Sequence, residues 1–134
     1  MPVSTQVSVL QRIQAEGALT TNCPTRTVLD HVTSKWGVLL LVFLSDKSMR
    51  WGELRRAVDG ISEKMLAQTL RTLETDGLVH REVTATVPPR VDYSLTPLGR
   101  DLVDRLLPLV EWIAVNAGVI LPGAPTASGS RIGA

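Results

Sequence analysis

The chain contains a single cysteine, Cys23, among its 134 residues. One thiol cannot form a disulfide within the chain, and a reducing cytoplasm is the simplest location for such a protein. Long apolar runs are missing as well, because segments such as residues 38–44 fall far short of the roughly 20 residues that span a bilayer. The N-terminus lacks a charged segment followed by an apolar block, which would mark an export signal. We therefore expect a cytoplasmic protein with no membrane partner.

Signatures of catalysis and of cofactor binding are also missing. The sequence has no phosphate-binding loop, no dinucleotide fingerprint and no cluster of metal ligands. Cys23 and His31 would be the one pair of nucleophile and base, but no further residue is positioned to orient the histidine. His31 and His80 are isolated in the sequence. We expect neither an enzyme nor a cofactor or metal site.

The charge of the chain is small but unevenly distributed. The formal net charge is +1, while residues 47–90 carry eight basic and six acidic side chains. The length fits one domain with a small core. Because the basic surplus is modest, the position of each charge matters more than the total.

The first third of the chain predicts helices. Residues Ser4–Ala15 have apolar side chains at helical spacing. A second helix is expected after Cys23-Pro24, with Thr25 as its cap and an interruption at Gly37. The apolar run Val38–Leu44 then indicates a buried helix. The inward-facing residues predicted for the second helix are Val28, Leu29 and Val32.

Residues 50–99 carry the most informative pattern. A short helix is followed by a turn and a longer helix, which ends where Gly77 suits a left-handed conformation. Two strands joined by a proline-bearing loop come next, and Thr96-Pro97 begins another helix. The predicted elements are helix Arg50–Val58, turn Asp59-Gly60, helix Ser62–Asp76, strand Leu78–Val83 and strand Val91–Leu95. This order is typical of a winged helix-turn-helix.

The chain as a whole is predicted to be mainly α-helical with a small β-hairpin wing. We expect a winged helix-turn-helix with dimerisation helices at both ends. The predicted divisions are an N-terminal helix and arm (1–22), the DNA-binding domain (23–96), a C-terminal dimerisation helix (97–120) and a disordered tail (121–134).

The helix Ser62–Asp76 has two distinct faces when residues are placed 100° apart. One face is a leucine stripe that must point to a core. The opposite face is basic and polar, and glutamine, lysine and arginine are the side chains that read adenine and guanine in a major groove. A solvated surface helix is the alternative. The stripe is Leu66, Leu70 and Leu73, and the predicted base-reading residues are Lys64, Ala67, Gln68 and Arg71.

Contacts with the DNA backbone would position the protein without reading sequence. Arginines around the short helix and the wing are the main candidates, although each one is weak evidence alone. The predicted set is Arg50, Arg55, Arg56, Ser62, Thr75, Arg81 and Arg90.

The last helix has more apolar positions than one core contact needs. A helix with two apolar faces serves its own domain and a partner. A homodimer would hold two recognition helices about 34 Å apart, which predicts a palindromic site. A monomer with a larger core is the alternative. The predicted dimer residues are Leu102, Leu106, Leu109, Val110 and Ile113.

The sequence between residues 23 and 115 resembles the HxlR-type branch of winged-helix regulators, relatives of the MarR group. The matching motifs are Cys23-Pro24, Lys35-Trp36, residues 50–54 (RWGEL), residues 60–66 (GISEKML), residues 70–74 (LRTLE), residues 76–79 (DGLV), Arg81, residues 89–99 (PRVDYSLTPLG) and Trp112. The chain departs from the family in having Ser34 where glycine is usual and Trp51 where phenylalanine is usual.

The resemblance implies a dimeric bacterial transcription factor, in most cases a repressor, whose partner is double-stranded DNA. In several family members the cysteine equivalent to Cys23 responds to oxidants or electrophiles, so Cys23 is a candidate sensor and an oxidant or small molecule a candidate effector. A helix dipole near Cys23 would favour its thiolate. A small buried hydrophobic residue is the alternative for Cys23. A winged helix that binds proteins instead of DNA is the alternative for the whole chain.

Overall fold

The computed structural model describes residues 2–15 and 23–123, with side chains from residue 8 onward. Residues 124–134 of the predicted tail and residues 16–22 of the predicted arm lie outside the described residues. The described residues form six helices and three short strands. They are α1 (Pro2–Ala15), α2 (Pro24–Thr33), α3 (Lys35–Asp46), β1 (Met49–Arg50), α4 (Trp51–Ala57), α5 (Glu63–Thr75), β2 (Val79–Thr84), β3 (Arg90–Leu95) and α6 (Pro97–Ile120). The mainly helical fold with a small wing is confirmed.

The corner between α2 and α3 lies at Ser34, so the interruption predicted at Gly37 is wrong. The Ser34 hydroxyl caps α3 by accepting a hydrogen bond from the Gly37 N–H at 3.1 Å. Gly37 lies inside the first turn of α3, where a Cβ atom would collide with the carbonyl oxygen of His31. The glycine therefore permits a close approach of two helices, which are bent by 70° at this corner.

Helix α2 differs from its prediction at its start and on its apolar face. Cys23, and not Thr25, occupies the N-cap position. Val32 is buried, whereas Val28 and Leu29 are 44% and 50% exposed. The prediction that Val28 and Leu29 face inward is wrong for the single chain, because only the last turn of α2 packs against the core.

The sheet is antiparallel with the strand order β1-β3-β2. Strand β1 was not predicted, since it is only two residues long. Met49 of β1 pairs with Tyr93 of β3. On the other side of β3, Tyr93 pairs with Arg81 of β2. Met49 and Tyr93 are both buried. The short strand thus anchors the start of α4 to the wing, which is formed by β2, β3 and the loop between them.

One apolar core joins α3, α4, α5, the sheet and the first half of α6. Helix α6 enters this core through Gly99, where a Cβ atom would overlap the carbonyl oxygen of Leu78. Thr96 caps α6 as predicted, by accepting a hydrogen bond from the Gly99 N–H at 3.0 Å. The fully buried side chains are Leu40, Leu41, Leu44, Leu54, Val58, Leu66, Leu70, Leu73, Val79 and Val103.

Helix α6 presents only part of its apolar surface to this core. Leu106 is 8% exposed and belongs to the core. Its assignment to a dimer surface is therefore wrong, because it shares the inward stripe of Val103 at helical spacing. Leu102 and Val110 are partly buried against the same core. The exposed members of the predicted dimer set are Leu109 and Ile113.

Within the described part of the chain, no single helix is long and apolar enough to cross a membrane. The bent pair of α2 and α3 reaches the necessary length and apolar content only when its two helices are counted together.

Candidate nucleic-acid interface

Helix α5 is defined at both ends by local hydrogen bonds. At its start the Ser62 hydroxyl accepts from the Met65 N–H at 3.0 Å. At its end the Gly77 N–H donates to the Glu74 carbonyl and the Leu78 N–H donates to the Leu73 carbonyl, each at 3.0 Å. This pair of bonds is a Schellman motif, and Gly77 supplies the required positive φ of 79°. The two ends of α5 are thus fixed by caps that the sequence predicts.

The turn before α5 is supported by an aromatic side chain from α3. Gly60 has a φ of 85°, which only glycine adopts readily. The Trp36 ring lies next to Gly60, where an added Cβ would be 3.8 Å from the ring. Lys35 lies over the same ring at 4.3 Å from its centroid. The half-buried Trp36 therefore holds the turn that sets α4 against α5.

The two faces of α5 separate as the sequence predicts. Leu66, Leu70 and Leu73 are at most 2% exposed. Lys64, Gln68, Arg71 and Thr75 are exposed on the opposite side, and Ala67 is half-buried on the flank. A basic, polar face on a capped helix after a tight turn has the chemistry that a major groove requires.

Arg71 and Arg81 lie in one groove between α5 and the sheet. The groove has a volume of about 300 Å³, and its other lining residues are Trp51, Ala67, Leu70, Glu74 and Tyr93. Arg81 is opposite Tyr93 in the β2–β3 register, so its side chain leaves the sheet on the side of α5. Neither arginine makes an ion pair with another described residue. Two predicted DNA contacts are therefore brought together beside the exposed face of α5.

A second groove lies where β1, α4 and the wing meet. It has a volume of about 670 Å³ and contains four basic side chains and two acidic ones. Lys47 was not among the predicted contacts, since only the pairing of β1 with β3 brings it to the wing. We call this feature the basic groove; its lining residues are Lys47, Ser48, Arg50, Gly52, Glu53, Arg56, Arg90 and Asp92.

The two carboxylates of the basic groove have structural roles. Glu53 accepts a hydrogen bond from the backbone N–H of Arg50 at 2.9 Å and so caps α4. This bond, assisted by Lys47, Arg50 and Arg56, lowers the pKa of the Glu53 carboxyl group. Asp92 accepts from the Nε of Arg90 at 3.0 Å. The surplus of two positive charges in the basic groove remains available to an anion.

Among the predicted backbone contacts, Arg55, Ser62 and Thr75 lie outside the basic groove, whereas Arg90 lines it. Arg55 pairs with the Glu63 carboxylate at 3.3 Å, which links α4 to the start of α5. Ser62 and Thr75 are exposed at the two ends of α5. Arg90 is at the start of β3, where the chain returns from the exposed wing loop.

Cys23 lies away from these grooves, at the start of α2. Its side chain is 9% exposed. Its carbonyl accepts from the N–H of Thr27 at 3.1 Å and from the Thr27 hydroxyl at 3.2 Å. The predicted sensor is thus a buried thiol at a helix N-terminus.

Comparison with known proteins decides the family. The profile of HxlR-like helix-turn-helix domains matches residues 31–119, which include every element from the last turn of α2 to α6. The chain belongs to the HxlR family. It is a transcriptional regulator with a helix-turn-helix domain and not an enzyme.

Relatives of this HxlR protein carry the same description. YtfH of Escherichia coli strain K12, an HTH-type transcriptional regulator, is 47% identical over 116 residues, which cover 87% of this chain and 92% of YtfH. The solved structure of a putative transcriptional regulator, ytfH of Salmonella typhimurium, is 50% identical with a TM-score of 0.73, covering 77% of this chain and 92% of that one.

The redox regulator HypR is similar in both of its solved forms. The oxidised form is 44% identical with a TM-score of 0.65 and covers 70% of this chain and 97% of HypR. The reduced form is 41% identical with a TM-score of 0.68 and covers 74% of this chain and 98% of HypR. The winged-helix fold is therefore shared with a protein that is described in two redox states.

Proposed function

We propose that this HxlR protein binds a palindromic operator as a homodimer and represses transcription. The observation that carries the proposal is the exposed face of α5, on which Lys64, Gln68 and Arg71 lie opposite a fully buried leucine stripe. Lys64, Ala67 and Gln68 approach base edges from the first two turns, while Arg71 contacts a base or a phosphate. The polar and basic character of this face favours DNA over a protein partner.

The backbone of the operator would lie along the basic groove and the groove that holds Arg81. Arg50, Arg56 and Arg90 reach the surface from three different elements, and Lys47 reaches it from the connection between α3 and β1. Such a spread suits a curved row of phosphates better than a single small anion. Chromosomal DNA as partner implies that the protein acts in the cytoplasm.

Dimerisation is supported by the exposed apolar residues of α6. Leu109 and Ile113 are 53% and 47% exposed, and Trp112 between them is 57% exposed. Leu109 and Ile113 lie about 40° apart on the helix, at about 60° and 20° from the core-facing Leu106. A second copy that covers this face would remove several large apolar side chains from water.

The operator test is a selection of duplexes from a randomised library by the purified protein. We expect a two-fold symmetric motif with half-sites about one helical turn apart. Enrichment of no motif would overturn sequence-specific binding, and a motif without symmetry would overturn the dimer. Repression is tested by in vitro transcription from a promoter that contains the motif, where added protein should reduce the transcript.

For Cys23 we propose a sensor role, in keeping with the redox regulator HypR among its structural relatives. A buried thiol at a helix N-terminus becomes reactive when the helix dipole favours its thiolate. Treatment with a disulfide-forming oxidant should change the operator affinity of the wild type and leave Cys23→Ser unaffected. An unchanged response in Cys23→Ser would exclude the sensor role.

A further inference from the structure

The end of the recognition helix is held by a contact that the DNA-binding proposal does not use. Nδ1 of His31, in the last turn of α2, lies 2.7 Å from Oδ2 of Asp76, the C-cap residue of α5. A carboxylate only accepts, so the Nδ1–H of His31 donates. The two residues are 45 positions apart in the chain, and their side chains are 31% and 15% exposed. This contact ties two helices at a partly shielded position.

The backbone fixes His31 independently of its side chain. The His31 carbonyl accepts from the Ser34 hydroxyl at 3.1 Å, in the corner between α2 and α3. The same carbonyl lies against Gly37, where any larger residue would collide with it. Because α3 is part of the core, His31 is held at this corner by contacts that do not involve α5.

The end of α5 is held from a second side by α6. The Thr96 hydroxyl donates to the Gly77 carbonyl at 2.6 Å, and the Thr96 N–H donates to the Leu78 carbonyl at 3.1 Å. These bonds involve the chain after α5, whereas His31 binds the cap residue itself. The leucine stripe alone would let α5 tilt about the line of its buried side chains. A contact at one end of the helix opposes this tilt.

We infer that His31 is a positioning residue: its hydrogen bond to Asp76 couples α2 to the recognition helix and sets the affinity for DNA without touching DNA. The inference rests on the proposed reading of DNA by α5. Asp76 is five residues beyond Arg71 on the same rigid helix, so a small tilt at the cap moves the reading face. Cys23 occupies the N-cap position at the other end of α2, about 12 Å away by helical rise, so α2 connects it to the contact with α5.

The test compares the operator affinities of three variants, measured by fluorescence anisotropy. Circular dichroism measures the folded fraction of each variant, and stoichiometric titration measures its active fraction. His31→Leu keeps a side chain of similar size, favours the helix and removes the donor. His31→Asn keeps an N–H donor near the place of Nδ1. His80→Leu is the matched control, since His80 is the other histidine of the chain and lies exposed on β2.

We expect His31→Leu to bind the operator about tenfold more weakly than the wild type, while His31→Asn recovers most of the affinity. The salt dependence should stay the same, because no phosphate contact is lost. A purely structural role would lower the melting temperature and leave the affinity of the folded fraction unchanged. An affinity of folded His31→Leu within about twofold of the wild type would therefore overturn the inference.

Asp76→Ala tests the same contact from its other side. It removes the carboxylate oxygen that accepts from His31, so we expect weaker operator binding and no further loss when it is combined with His31→Leu. Additive losses would contradict coupling through this contact. Failure of the proposed function is distinguishable, since the wild type itself would then show no preference for any duplex.

Discussion

At the scale of single residues, the charged side chains of the basic groove fall into two groups. Some stabilise the fold, and others remain available to bind a ligand. The Glu53 carboxylate accepts a hydrogen bond from the Arg50 N–H at the start of α4, and the Asp92 carboxylate accepts one from the Arg90 side chain. The first contact is a helix cap, and the second is an exposed ion pair, which adds little stability. Lys47, Arg50 and Arg56 are therefore not consumed by the fold, which is what a surface that binds phosphates requires.

Arg90→Ala tests this groove directly. The substitution should weaken binding to operator and unrelated DNA alike, because a phosphate contact carries no sequence information. The slope of log affinity against log salt concentration should fall by about one unit. Arg105→Ala is the control, since Arg105 is equally an exposed arginine paired with an aspartate, Asp101, but lies on α6. An unchanged slope in Arg90→Ala would remove Arg90 from the interface.

At the scale of the elements, the joint between α6 and the recognition helix depends on one missing side chain. Gly99 lies against the Leu78 carbonyl, and backbone atoms there have little room to move. We expect Gly99→Ala to destabilise the fold by about 3 kcal/mol, measured by chemical denaturation. Gly52→Ala is the control, because its added Cβ meets only the flexible end of Arg56. A small effect at Gly99 would mean that α6 shifts freely at this joint.

The elements also differ in how much of them the sequence predicts. Helix α5 is predictable because Ser62, the leucine stripe and Gly77 are all local signals. Strand β1 is not, since two residues have no periodicity and its existence depends on pairing with distant β3. The corner at Ser34 is hard to predict for another reason: Gly37 resembles a helix breaker, whereas its lack of a side chain permits the contact with His31.

The residues of the candidate site also differ in whether the sequence predicts their placement. The outward positions of Lys64, Gln68 and Arg71 follow from helical periodicity alone. Lys47 joins the basic groove, and Arg81 joins Arg71, only through the register of the sheet. Tertiary pairings of this kind leave no trace in a local pattern.

At the scale of the whole molecule, the exposed apolar residues of α6 would form the interface of the proposed dimer. Ile113→Asp should yield a monomer in light scattering coupled to gel filtration, because it buries a charge in the proposed interface. Val115→Asp is the control: Val115 is 75% exposed and lies about 160° from Ile113 on the helix. Monomeric wild-type protein, or an Ile113→Asp dimer, would contradict the proposed interface.

The account of the molecule depends most on the claim that the exposed face of α5 reads base sequence. Its most direct test is the ratio of affinities for the selected operator and an unrelated duplex, measured at one salt concentration for the wild type, Gln68→Ala and Arg90→Ala. Loss of a bidentate contact to adenine should lower the ratio for Gln68→Ala by about tenfold per half-site. The ratio for Arg90→Ala should stay near the wild-type value while both affinities fall. A Gln68→Ala protein that keeps the full ratio would contradict the assignment of this face.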